Sequence, residues 1–405
     1  MKKSLFSVLF MLMLVLFLVG CGGSKPEPED PGNNPGEPGT EEKVIKIGSA
    51  GPLSGSASIY GQSVKKGVEL AIAEINAAGG VNVNGVAYQF ELTNFINDEA
   101  DPDKASAALA TLVGQDVDVI VGAVTSGATE GLILQAMTEG IPVITPTGTA
   151  DKLTVGEDGD EREDRYNVFR ACFYDSYQGK YMAQYAKEQG YKKAYVLYNN
   201  SEDYSVGLKD AFVETASELQ LEVHTQGYEK EVKNFSSYWS TIISGGYDCV
   251  YVPDYYENVY NILKTGYAEG YQGVCLGGDG WDGVVQQIQA EDDVTFLEKC
   301  FYTNHYFGKS ESEAVKTFVT NFKAANANEE PASFAALGYD AVYIVKQAIE
   351  QAGSFEYEAV IEALATGTFT DLVTSSTDFS FDENGNPQKA ATVITFKDGV
   401  EVEAK

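Results

Sequence analysis

Histidine is nearly missing from this chain: His224 and His305 are the only two in 405 residues. Neither has a recognisable nucleophile or acid partner, and no Gly-x-Ser-x-Gly elbow is present, so triad-type hydrolysis is excluded and both read as packing or surface residues. Basic residues are scarce as well, with Lys+Arg 28 against Asp+Glu 60 and a formal net charge of -32. Such a surface repels nucleic acid and anionic lipid, and reads as a solvated acidic exterior. Cysteine numbers five, at no spacing that resembles a zinc site. Beyond Val19 no apolar run reaches the roughly 18 to 20 residues needed to cross a bilayer.

What is present begins at the amino terminus. Lys2 and Lys3 precede an apolar stretch from Ser4 to Val19, and Gly20-Cys21 closes it as a small-residue cleavage site. The segment resembles a bacterial lipobox. It implies a signal peptide over 1–20 and a lipid thioether on Cys21 that anchors the mature chain to the extracytoplasmic face of the cell membrane. Residues 21–43, rich in Pro, Gly, Glu, Asp and Asn, bury too little apolar surface to offset their ordering entropy and read as an extended tether. With Cys21 used, Cys172, Cys249, Cys275 and Cys300 remain. Three of them sit in β-like apolar runs, where free core thiols are the expected state and disulfides the alternative.

From Val44 the chain alternates apolar strands with amphipathic helices, which predicts an α/β fold of two doubly wound parallel-sheet lobes. Expected strands include 44–50, 88–94, 117–124 and 142–146, then 194–198, 249–253 and 274–277. Helices are expected over 62–78, 104–114, 129–139, 177–189, 206–220, 258–269, 312–327, 334–351 and 357–366. A terminal strand pair is expected about the Asp382–Gly385 turn. Gly156 to Arg165 reads as an acidic surface loop.

Ligands of open parallel sheets bind at the carboxyl ends of strands. In the first series the loops there are Gly51–Gly55, Thr125–Thr129 and Pro146–Thr149, all small, hydroxylated and bearing glycine. Hydroxyls beside helix N-termini can hold a carboxylate without Lys or Arg. The second series offers Asp203-Tyr204, Asp254-Tyr255-Tyr256 and Gly278–Trp281, which are acidic and aromatic. Facing rims of this kind suit a zwitterionic amino acid. Gly278–Gly283 matches a dinucleotide pattern, but Asp279 and Asp282 would repel a pyrophosphate, so no cofactor is expected.

Several of these segments (Gly51-Pro52-Leu53-Ser54-Gly55, Tyr60-Gly61, Ile75–Gly80, Ile144–Thr149 and Gly338-Tyr339-Asp340-Ala341) resemble the leucine/isoleucine/valine-binding-protein family of type I periplasmic binding proteins. The resemblance covers Val44 to Lys405. It implies discontinuous lobes, 44–174 with 305–390 and 175–304 with 391–405, joined by three crossovers that act as a hinge. It implies Ser126 and Thr149 as contacts for a ligand carboxylate, and the Thr147 carbonyl and Asp279 for its ammonium. Tyr60, Tyr204, Tyr255 and Tyr339 would flank the ligand. A monomer without metal or cofactor that delivers an amino acid to an ABC permease is what the family suggests. Where the branched-chain binders carry Glu this chain has the shorter Asp279, which leaves the ligand open, a small carboxylate or aromatic metabolite included. A ligand-sensing receptor of the same fold is the alternative function.

Overall fold

A computed structural model describes residues 43–156 and 162–404. The signal segment, Cys21, nearly all of the tether and part of the acidic loop after Gly156 lie outside the described residues. Among those described, no helix is long and apolar enough to cross a membrane.

The first half runs β1 (Val44–Gly51), α1 (Ser58–Ala77), β2 (Val81–Val83), β3 (Val86–Asn97), α2 (Pro102–Val113), β4 (Val119–Val121), α3 (Ser126–Glu139), β5 (Val143–Thr145), α4 (Lys152–Val155) and β6 (Val168–Arg170). Its strands form one sheet in the order β2-β3-β1-β4-β5-β6, parallel except where β2 turns back on β3. The central strands β4 (VIV) and β5 (VIT) are buried throughout because both faces are covered, whereas β3 is polar and partly exposed. Leu109, Leu112, Leu132 and Ile133 of α2 and α3 pack on one face, while Val64, Val68 and Ile72 of α1 join the core of the other.

The second half runs α5 (Asp175–Glu188), β7 (Lys193–Asn199), α6 (Asp203–Glu218), β8 (Glu222–Tyr228), α7 (Ser236–Gly245), β9 (Cys249–Tyr251), α8 (Tyr256–Ala268), β10 (Val274–Gly277) and β11 (Cys300–Asn304). Helices α9 (Glu313–Ala325), α10 (Ser333–Ala352) and α11 (Tyr357–Thr366) follow, then β12 (Thr392–Lys397) and β13 (Val400–Glu403). The second sheet is ordered β13-β12-β11-β10-β9-β7-β8, so the last two strands join it from the far end of the chain. Met182, Leu208 and Phe212 of α5 and α6 cover one face, and Trp239, Ile262 and Leu263 of α7 and α8 the other. Cys172, Cys249, Cys275 and Cys300 are free, buried thiols.

Several elements depart from the sequence expectation for identifiable reasons. Helices α1, α2 and α3 begin two to four residues earlier than their apolar periodicity, their opening residues Ser58, Pro102 and Ser126 carrying no apolar side chain of the repeat. Asp101, for example, caps α2 with Pro102 in the first turn. Strand β8 was not expected: it is an edge strand, mostly polar and exposed, with no alternation to mark it. The terminal hairpin turns at Asp398-Gly399, both at positive φ, rather than at Asp382–Gly385. There the Asp382 carboxylate accepts from the amides of Asn384 and Asn386, closing a local turn that leaves only a single bridge, Phe381 to Pro387.

Candidate functional site

Strand β4 leads into α3 through Val124 and Thr125, and the helix opens with Ser126 at its first position. No acidic residue occupies that turn, so its free N–H groups keep their positive field. The Ser126 hydroxyl accepts from the Ala150 amide at 3.2 Å, which leaves its own proton to donate elsewhere. Thr147 is pinned by donating from Oγ1 to the Val124 carbonyl (2.7 Å), and Thr145 by donating to that of Ala123 (2.9 Å). These bonds hold the loop after β5 against the start of α3, and Thr125, Ser126, Thr147 and Thr149 come to line one wall.

The opposing wall belongs to the second sheet. Asp279 opens a short 3-10 turn directly after β10 and is buried. Its Oδ1 accepts from Gln178 Nε2 (3.0 Å) and Tyr204 Oη (2.9 Å), and its Oδ2 lies 2.8 Å from His305 Nε2. A carboxylate offers about four acceptor positions, so three donors leave one for a ligand. Tyr204 and Tyr255 stack at 4.9 Å and 11°, and Tyr60 meets Tyr255 edge-on at 5.6 Å. Burial drives the Tyr60 and Tyr204 phenols well above their ordinary pKa, which keeps both as donors. Asp254 supports this wall from behind by accepting from the Tyr255 amide at 2.6 Å.

Tyr60 also ties the walls together: its hydroxyl donates to the Gly280 carbonyl and accepts from the Tyr256 amide (3.1 Å). Between the walls lies a cavity of about 10 Å³, lined by Tyr60, Ser126, Thr147, Thr149, Tyr204, Tyr255 and Asp279, with Val124, Thr125, Gly280 and Phe334. That is room for roughly one water, so an amino acid enters only when the walls part. Larger hollows exist, one of about 670 Å³ near His305 and Lys389, but that one lacks the stacked tyrosines and the buried carboxylate of this site. Among the described residues no group of three or more His, Cys, Asp or Glu is placed to hold a metal ion.

Seven of the eight expected ligand residues thus converge. Tyr339 does not: its hydroxyl donates to Glu74, and its ring packs on Phe318 and Tyr343 at 5.0 and 4.7 Å, away from the cavity. Trp281, large and adjacent to Asp279, turns into the core and donates to the Val252 carbonyl at 2.8 Å. Phe334, at the start of α10, takes the place beside Tyr60 with ring centroids 4.6 Å apart.

His305 overturns the expectation of an unpartnered histidine. It is buried, stacked on Phe173 at 3.8 Å, and bonded to Asp279. Burial lowers its pKa to about 4, against the upward pull of Asp279, so the neutral ring donates its Nε2 proton to the carboxylate. Asp175, at the first position of α5, was also missed. It is fully buried, with the Thr149 side chain close enough to act on its carboxylate by hydrogen bonding. Burial, aided by the charge of Asp151, raises its pKa well above the carboxylate range and favours the neutral acid.

The His305 environment predicts a pH dependence. Its folded pKa is depressed from 6.5 to about 4, so the stability it contributes is complete above pH 6.5 and is lost as pH falls through 4. The difference amounts to about 3 kcal/mol. Asp98 and Asp254, both raised to about 6 by burial, work in the opposite sense, so the whole-protein profile mixes signs. The clean quantity is the unfolding free energy of the native protein minus that of His305→Gln, measured by denaturant titration. It should fall by about 3 kcal/mol between pH 7 and pH 4; a constant difference would contradict the assignment.

Against known proteins, the family model described as "Periplasmic binding protein" matches residues 44–400. A Leu/Ile/Val-binding protein homolog from Brucella melitensis is 29% identical over 78% of this chain and 82% of its own length. Among solved structures, the leucine-binding protein LivK of Thermotoga maritima superposes with a TM-score of 0.79 at 29% identity, covering 89% of this chain and 98% of that one. LivJ of Streptococcus pneumoniae, in complex with isoleucine, gives 0.78 at 30% identity, covering 89% of this chain and 100% of its own.

Proposed function

The chain belongs to the periplasmic binding protein family, whose members bind solutes and are not enzymes, and from that premise we propose that it captures an α-amino acid with a branched-chain-like side chain for an ABC importer. The observation that carries this reading is one cavity with uncharged donors on one wall and a single carboxylate on the other. Ser126, Thr149 and the start of α3 take the ligand carboxylate. Asp279 and the Thr147 carbonyl take its ammonium, and Tyr60, Tyr204, Tyr255 and Phe334 enclose the side chain. A shape made this way discriminates against ligands lacking either charged group, because each leaves a buried partner unsatisfied. The isoleucine complex of LivJ, at 30% identity, supports a branched-chain ligand.

In this reading the two sheets belong to lobes 44–174 with 305–390 and 175–304 with 391–405, and closure about their three crossovers buries the ligand. Cys21 carries the lipid, and residues 22–43 give the lobes reach above the membrane. A thermal-shift panel of free amino acids, small carboxylates and aromatic metabolites tests the function. Branched-chain amino acids should raise the melting temperature in a concentration-dependent way, as binding to the native state alone requires. Stabilisation only by acids without an ammonium would overturn the reading.

A further inference from the structure

We propose that Arg170 is a positioning residue for the ligand carboxylate: from behind the Thr147–Thr149 loop it aims the loop's amides into the cavity and lends them its positive charge without touching the ligand. This inference rests on the reading that the loop receives a carboxylate.

Arg170 ends β6, on the sheet side of the loop, and is fully buried. Its Nη1 donates to the carbonyls of Gly148 (3.2 Å) and Ala150 (3.0 Å), and its Nη2 to the Asp151 carbonyl (3.2 Å) and Thr154 Oγ1 (2.9 Å). Every acceptor is neutral. Among the described residues no carboxylate pairs with this guanidinium, and its Nε has no partner at all. Burying an unpaired cation is costly, and neutral donors could have tied down the same carbonyls, so the charge itself calls for a use.

The peptide geometry supplies one. In a trans peptide the C=O and N–H point in opposite directions, so a guanidinium on the Gly148 oxygen sends the Thr149 N–H the other way, towards the cavity that Thr149 lines. Among the described residues that amide has no acceptor. The next peptide is fixed from both ends, its Thr149 carbonyl accepting from the Asp175 amide (2.9 Å) and its Ala150 amide donating to Ser126 Oγ. Arg170 then grips the Ala150 carbonyl beyond it. Three consecutive peptide planes are therefore locked, and the serine that receives the middle one is itself a carboxylate donor. With a cation at the oxygen end of the first peptide and an anion expected at its N–H end, hydrogen bonds in series polarise one another. The wall can bind an anion although no basic side chain lines it.

The test compares L-isoleucine with its carboxamide, L-isoleucinamide, by calorimetric titration of the native protein, Arg170→Met and Arg170→Lys. A through-peptide charge acts on the carboxylate and hardly on the neutral amide. Arg170→Met should weaken isoleucine by about thirtyfold and isoleucinamide by less than about threefold, which collapses the acid-to-amide preference about tenfold. Arg170→Lys keeps the charge without the fork and should retain most of that preference; if the Met variant fails to fold, the neutral Arg170→Gln takes its place with the same expected collapse. Equal weakening of both probes, or an unchanged preference in both variants, would make Arg170 a structural clamp only and overturn the proposal while leaving the proposed function standing. Failure of the native protein to bind isoleucine would overturn both.

Discussion

Replacing Asp279 with alanine is expected to weaken amino-acid binding by about 3 to 5 kcal/mol, the usual cost of removing one partner from a buried charge pair. Two losses add. The ligand ammonium loses its carboxylate, and Gln178, Tyr204 and His305 lose the acceptor that now satisfies all three. The second loss falls on the free protein too, so the melting temperature should drop in the absence of ligand. Affinity is therefore best read by calorimetry well below the melting transition. Asp279→Asn keeps the shape and one acceptor oxygen; it should spare part of the stability and almost none of the affinity, because the charge is gone. Unchanged affinity in either variant would remove Asp279 from the site.

A second large effect is expected far from any polar contact. Helices α1 and α10 cross at Gly67 and Gly338 so closely that a Cβ on Gly67 would lie 1.9 Å from the Ala335 carbonyl oxygen, and one on Gly338 2.7 Å from that of Val64. The clash is with backbone, which cannot rotate aside. Gly67→Val should cost about 3 kcal/mol of stability or more, at the upper end of overpacking penalties, with the denaturant midpoint as readout. It should weaken ligand binding as well, because α1 carries Tyr60 and α10 carries Phe334, and their contact at 4.6 Å forms one side of the cavity. A variant with an unaltered midpoint would show that the two helices can separate freely.

The same crossing explains what was legible in the sequence. Gly338-Tyr339-Asp340-Ala341 marks a place where a helix must approach another, and Asp340 accepts from the Val373 and Thr374 amides to hold the returning chain. Tyr339 was drawn into the site by adjacency to that motif. Gly338 presses on α1 at Val64, and Tyr339 meets Glu74 further along the same helix instead of the cavity. Ser126, Thr147, Thr149 and Asp279 were readable because strand ends in an open parallel sheet predict where ligands sit. His305 was not, since its partner comes from another strand's loop and no pattern in either segment announces it. Asp175 lies before the point where the periodicity of its helix begins, and Phe334, first residue of the expected helix 334–351, bears no mark that separates a cavity wall from core. Buried strands such as β4, β5 and β9 are legible as apolar runs, whereas buried β6 is too short to stand out and β8 has only one neighbour and little to bury.

The central claim is that one small cavity reads both ends of an amino acid, and titration of three related compounds tests it most directly. L-isoleucine, its deaminated acid and its decarboxylated amine share the same apolar body and differ only in the charged groups. Isoleucine should bind, and each of the other two should bind at least about a hundredfold more weakly, as expected when a buried polar wall is left unpaired. Equal affinity for isoleucine and the deaminated acid, or for isoleucine and the amine, would contradict the account at Asp279 or at the Ser126–Thr149 wall respectively.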